Sequence, residues 1–343
     1  SLDGLMQNPT DTRERLAALV TAPHNTRFAQ VIVNRIWKRL TGAGLVEPVH
    51  DWEGRAPSHP ELLAWLARDF AARGYDVRQL VRLILTSQVY QRAATGRNLK
   101  TDPEQRFFAA PEPRRLSAEQ VVDALFASSG QAMQVEDLSL DLSAQRGVDT
   151  FVSLGAPRRA WMFASLSNER DRPSIALPRA QAVVDVLEAF GWSGSRQNPR
   201  TDRESDPNVL QPGVLANSVV STWVTRAAHG SELADLALNA ATPESLVESV
   251  FLRFYSRRPT AAEGTPLVRL LAPGFATRVR PASEVILPTA PPRLPTVSWS
   301  NHLVADANSI AIEMERRARS GPPADPRLRP EWREVFADGV WGV

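Results

Sequence analysis

Helix start and stop signals, repeated four times before residue 130, are what most constrain the fold of this chain. Asn25 can cap a segment in which Phe28, Val31, Ile32, Ile36 and Leu40 share one face and Gly42 stands near the end. Ser58-His59-Pro60-Glu61 has the pattern of a capping box with proline in the first turn. Leu62, Leu63, Leu66 and Phe70 follow it at helical spacing, up to Gly74. Asp76 precedes Val77, Leu80, Val81, Ile84 and Leu85. Ser117 opens a fourth segment, with Val121, Val122, Leu125 and Phe126 inward and Gly130 beyond its end. Apolar stripes of this width must bury against one another. The spacing therefore predicts a mainly α, bundle-like module. The alternating, aromatic stretch 159–166 is the best strand candidate, which limits β structure to a small element near 150–166.

Helical periodicity returns at Pro178, Gly213–His229, Ser231–Leu238 and Pro243–Tyr255, again after Pro259, and over Ser300–Arg319. Two stretches interrupt it. Residues 191–212 are polar and turn-rich, and structureless loops of that length are often functional. Residues 280–299 carry Pro281, Pro288, Pro291, Pro292 and Pro295 and read as a linker or an extended surface strap. At 343 residues the chain exceeds one ordinary core. The expected division is an N-terminal helical subdomain over 1–130, a second over 131–279 containing the polar loop, and the strap with a last helix over 280–343. The end of the chain reads as truncated.

The formal charge is +2, yet the isoelectric point is near 9.4. Lys38 and Lys100 are the only lysines; the other 38 cations are arginines, which stay charged to high pH. They are scattered among carboxylates without a polybasic tract, so no nucleic-acid partner is expected. Such arginines suit bidentate pairing with Asp and Glu. Absence of cysteine excludes disulfides, thiolate metal sites and a Cys nucleophile from this sequence. No apolar run of about 18 residues occurs, so no membrane span is expected. Neither a phosphate-binding loop, a dinucleotide fingerprint nor a nucleophile elbow is present.

Three constellations could carry chemistry. Asp51, Glu53 and His59 put an imidazole near two carboxylates, but at no standard ligand spacing, so no metal and no cofactor is expected. Arg115, Glu119 and Asp123 recur every four residues and, with Arg35, read as buried structural ion pairs closing the bundle. The sharper reading makes Glu119 and Asp123 a glycosidase pair. Two carboxylates on adjacent turns point the same way and seldom flank a substrate. The segment 196–212 combines Arg200, Arg203 and Asp206 with further polar residues, a density that suits a sugar, sulfate or carboxylate ligand as well as a self-pinned loop. If a ligand site exists, these three are expected to line it beside His59.

Several ordered stretches resemble a known family. They include Val31-Ile32-Val33-Asn34-Arg35-Ile36-Trp37, Gly42-Ala43-Gly44-Leu45-Val46 and Pro57-Ser58-His59-Pro60-Glu61-Leu62-Leu63. Further matches are Arg114-Arg115-Leu116-Ser117, Leu210-Gln211-Pro212 with Leu215-Ala216-Asn217, and Phe254-Tyr255-Ser256-Arg257-Arg258-Pro259-Thr260 with Glu263. Together they resemble the planctomycete-specific domain of unknown function fifteen fifty-three, found in large exported proteins. The chain departs from that pattern at Asp51-Trp52-Glu53-Gly54, where Asp-Phe-Gly is common. The resemblance implies an extracytoplasmic setting in the periplasm or at the cell surface. It also implies upstream domains of the same polypeptide, often cytochrome-like, as partners. The resulting expectation is a non-catalytic binding or assembly module with a possible polysaccharide ligand. The alternative is a hydrolase-type enzyme acting on a polysaccharide or its decorations through acidic residues of 51–59 and 196–208.

Overall fold

The computed structural model describes residues 10–22, 24–94, 108, 110–111, 113–135, 139–140, 152–153, 159–160, 177–192, 207–295, 297 and 302–343. The protein is mainly α, with fourteen α-helices and one two-stranded sheet among the described residues. It divides into two compact units, residues 1–115 and 116–343.

The first unit contains α1 (Thr12–Thr21), α2 (Thr26–Thr41), α3 (Pro60–Ala72), α4 (Val77–Leu85) and the single turn α5 (Gln88–Gln91). Helices α2 and α3 pack together, with α4 across both. Val33, Leu63, Leu66, Phe70, Leu80 and Ile84 fill the interface, as their helical spacing dictates. Asp76 caps α4 as expected, accepting from the amides of Arg78 (2.8 Å) and Gln79 (3.2 Å). The other two expected caps differ. Asn25 donates to the carbonyl of Val20 (2.8 Å) and so closes the end of α1 rather than the start of α2. At α3 the N-cap is His59, and no capping box forms. The reason lies in Ser58, whose amide and hydroxyl both go to the carbonyl of Leu45 (2.8 and 3.1 Å).

Those bonds belong to a loop, 42–58, folded into the core. Gly42 ends α2 in the left-handed region at φ 99°. Leu45 and Val46 are buried, and the wholly buried Asn34 exchanges two hydrogen bonds with Val46. At Gly44 a β-carbon would lie 2.7 Å from the Val46 carbonyl, so only glycine fits without rearrangement. Glu47 accepts from the Gly44 amide and from Lys38 (3.2 Å).

The second unit begins with α6 (Ala118–Ser129), whose capping box joins Ser117 and Gln120 and whose end is Gly130 at φ 65°. Strands β1 (Ser139–Leu140) and β2 (Val152–Ser153) pair antiparallel. Then come α7 (Pro178–Ala189), α8 (Leu210–Asn217), α9 (Val219–Thr225), α10 (Glu232–Asn239), α11 (Pro243–Tyr255), α12 (Ala261–Leu271), α13 (Ala307–Ser320) and α14 (Pro330–Trp341). The helix expected over 213–229 is two, because the Ser218 hydroxyl accepts from the Ser221 amide and starts a new one.

Two cores result. One gathers Val122, Phe126, Val183, Leu187, Val220 and Trp223 from α6, α7 and α9. The other gathers Leu233, Leu246, Phe251, Leu271, Trp332 and Phe336 from α10, α11, α12 and α14. Arg278 is buried beside this second core and pairs with no carboxylate among the described residues. It donates to the carbonyls of Ala237 (2.6 Å), Leu238 (3.2 Å) and Ala240 (2.6 Å) at the end of α10, and to that of Phe275 (2.8 Å). Its guanidinium lies over the Phe275 ring at 3.7 Å. The unpaired carbonyls and negative dipole end of α10 thus take the place of a counter-ion, while burial lowers the guanidinium's proton affinity.

Candidate functional site

A cleft of about 800 Å³ opens within the second unit. One wall is α13, presenting Met314, Arg316, Arg317 and Ser320. Another is the strap, Pro288–Leu294, whose Leu294 packs against the first core. Trp223 and the loop Ala228–Ser231 close the floor. The volume falls in the range of small-molecule and oligomer subsites, and the mixture of prolines and aromatic or thioether surface with a few polar groups is typical of them.

The walls are held by hydrogen bonds rather than by packing alone. Trp223 Nε1 donates to the Ala318 carbonyl (2.9 Å), fixing the indole against α13. Gly321 leaves room for that ring, since a β-carbon there would lie 2.4 Å from Trp223 Cδ1. Gln131 Nε2 donates to the carbonyls of Trp223 (2.6 Å) and Arg226 (3.2 Å). The strap is tethered by Arg317 Nη1, which donates to the Pro292 carbonyl (2.7 Å).

The cleft is rich in arginine. Arg179, Arg293, Arg316 and Arg317 line it, and no Asp or Glu does among the described residues. Glu313, one turn back on α13, accepts from Arg316 Nε and Nη2 (2.7 and 2.8 Å) and from Arg317 Nε (2.8 Å). These bonds, Arg316 first, hold the Glu313 carboxyl down at about 2 and raise the Arg316 guanidinium.

Behind the floor is a buried carboxylate. Asp325 is fully buried and takes Arg327 Nε (3.0 Å) and Nη2 (2.7 Å) as well as the Arg327 amide (2.9 Å). His229 Nδ1 stands 3.5 Å from Asp325 Oδ2. Burial pushes the Asp325 carboxyl up, but the Arg327 hydrogen bonds and charge outweigh it, and the net shift is below the usual carboxylate range. The His229 amide donates to the Pro323 carbonyl (2.8 Å), so the residue meets the segment that follows α13 through its backbone as well as its ring.

The family model described as PSD1, Protein of unknown function (DUF1553), matches residues 12–271. The chain belongs to this family. No curated protein and no solved structure matches it. Since the DUF1553 description carries no activity, the family's signature stretches have to be read from what they do here. Asn34, Gly44 and Ser58 hold the 42–58 loop, and Ser117 caps α6. In the matching stretch Phe254–Thr260, Arg257 pairs with Glu263 (2.7 Å), which also accepts from the Thr260 amide and hydroxyl (both 2.8 Å) at the start of α12.

The residues expected to form a site are not brought together by the described structure. Arg200, Arg203 and Asp206 lie outside the described residues. His59 is half-buried, with Nδ1 3.0 Å from Ser58 Oγ and its ring edge-on to Phe108. Asp51 and Glu53 are exposed, and the Asp51 carboxylate accepts the Glu53 amide (3.2 Å) in a turn. Among the described residues no group of three or more His, Asp and Glu could hold a metal ion.

The expected burial of Arg35 and Arg115 is corrected: both are exposed. Arg35 follows buried Val33 by two residues and so points about 200° away from the core face. Arg115 precedes the cap Ser117, so helical i, i+4 geometry does not relate it to Glu119. Glu119 and Asp123 are half-buried, and the Asp123 carboxylate accepts the Ala160 amide (3.0 Å).

The cleft residues escaped the sequence reading. Glu313, Arg316 and Arg317 carry the i, i+3, i+4 spacing of helical ion pairs, which is a local signal. Nothing local says that this face meets a proline strap.

Proposed function

We propose that this DUF1553 chain is a non-catalytic binding or assembly module of an exported, surface- or periplasm-associated protein. Its ligand is a segment of polysaccharide held in the cleft of the second unit. The observation that carries this reading is the cleft itself: about 800 Å³, walled by prolines, Trp223 and Met314. Flat apolar surfaces beside hydrogen-bonding groups match the alternating faces and edges of sugar rings. Opposed carboxylates, which glycoside hydrolysis uses, do not line it among the described residues. The exported setting and the upstream domains as partners rest on the family resemblance.

The test is binding to an array of neutral and acidic oligosaccharides, followed by calorimetry on any hit. Thr289, exposed on the strap and lining the cleft, gives a blocking variant. Thr289→Trp should abolish binding while leaving the fold intact. A wild-type protein that binds no saccharide, or binding indifferent to Thr289→Trp, overturns the proposal.

A further inference from the structure

We infer that the α13 wall of the cleft is an oxyanion subsite, and that the group it takes is a carboxylate or a sulfate or phosphate ester carried by the ligand. The inference rests on the binding-module reading for the identity of the ligand, but the subsite is argued from α13 and the strap it tethers.

Arg316 and Arg317 are adjacent in sequence and share one carboxylate. Glu313 occupies Nε and Nη2 of Arg316, and Nε of Arg317. The strap carbonyl of Pro292 occupies Arg317 Nη1. Arg316 Nη1 and Arg317 Nη2 therefore remain as donors without a partner among the described residues. Two guanidiniums are held in place by bonds that do not use these donors, so their ordering entropy is already lost before a ligand arrives. One carboxylate against two guanidiniums leaves a net positive charge on this face of α13. A forked guanidinium matches an oxyanion in shape and charge better than an ammonium does. The pairing also links the subsite to the strap, because the guanidinium that would meet the anion also tethers Pro292.

The experiment compares wild type with Arg316→Gln, a change at an exposed residue whose hydrogen bonds among the described residues go to Glu313. Each protein is titrated with inorganic phosphate and with inorganic sulfate, at constant ionic strength set by chloride, and Trp223 fluorescence and thermal midpoint are followed. Each is also titrated with a uronate-containing oligosaccharide and its neutral counterpart. Wild type should respond to the inorganic anions, and Arg316→Gln should weaken that response by about tenfold. The acidic oligosaccharide should bind about tenfold tighter than the neutral one, and the variant should erase that preference.

If no oligosaccharide binds but the inorganic anions do, in an Arg316-dependent way, the polysaccharide reading fails and the oxyanion subsite stands. If the neutral sugar binds as tightly as the acidic one and neither inorganic anion registers, the subsite fails and the polysaccharide reading stands. An anion response equal in wild type and variant also overturns the subsite.

Discussion

Asn34 and Val46 hold each other across twelve residues: Asn34 Nδ2 donates to the Val46 carbonyl at 2.8 Å, and the Val46 amide donates to Asn34 Oδ1 at 3.0 Å. The amide side chain imitates one rung of a β-ladder and so satisfies a loop backbone that no strand covers. Both residues are buried, which makes the pair expensive to lose. Asn34→Ala should leave a donor and an acceptor orphaned and cost on the order of 2–5 kcal/mol. Urea denaturation of the variant checks this, and a loss below about 0.5 kcal/mol, the usual surface value, refutes it.

Arg278 offers a second test. Its guanidinium collects four carbonyls, three of them at the end of α10. Arg278→Ala should destabilise the second unit by about 3–5 kcal/mol, since it strands those carbonyls and empties the space over Phe275. Arg278→Lys should recover only part of this, because one ammonium cannot span the same acceptors. Equal stability of the lysine variant and wild type would show that charge alone matters at this position.

Asp325 is the carboxylate on which Arg327 and His229 converge. Removing it leaves Arg327 with Asp235 at 3.5 Å, and that guanidinium is partly solvated. Asp325→Ala is therefore expected to cost about 2–3 kcal/mol, less than a fully buried pair. It should also loosen the segment after α13, which hydrogen exchange at His229 and Asp325 would report as faster opening. Unchanged exchange there would detach the carboxylate from the cleft floor.

Glycine geometry separates two costs. Gly130 has φ 65°, and a β-carbon would meet the Glu232 amide nitrogen at 2.8 Å. Gly230 has φ 76° with open space around it. Gly230→Ala should carry only the left-handed backbone penalty, about 1 kcal/mol. Gly130→Ala should carry that and a steric clash with backbone, roughly 2–4 kcal/mol in all. Equal losses in thermal denaturation would mean that α10 yields freely.

Acid should weaken the protein in a defined window. Glu263 and Glu313 are each held at about 2 when folded, the first chiefly by Arg257 and the second by Arg316, against 4.5 for an unperturbed group. A depressed folded value means that the stabilisation is present above the unfolded value and disappears as pH falls through the folded one. The loss should fall between about pH 4.5 and 2, with Asp325 acting in the same direction. The thermal midpoint should drop less steeply across that range in Glu263→Gln/Glu313→Gln than in wild type. Parallel curves would mean that these pairs are as strong in the unfolded chain.

The mainly α character was legible from the sequence because helix formation is local: caps and 3.6-residue spacing lie within a few residues of one another. Asp76, Ser117, Gly42 and Gly130 act where their local signals place them. The helix at Pro330–Trp341 was legible too, though unread: Pro330 stands at its first turn, and Trp332, Phe336 and Val340 recur every four residues. What the sequence could not carry were choices between competing partners. Ser58 had a capping pattern available and bonded to Leu45 instead. Arg278 bonds the end of a helix, where a carboxylate is the usual partner of an arginine. The cleft exists only because a proline strap, 25 residues from Arg317, returns to α13. Local propensity decides which segments coil; which buried polar groups meet is decided by long-range packing, where each donor bonds whichever acceptor the tertiary fold brings within reach.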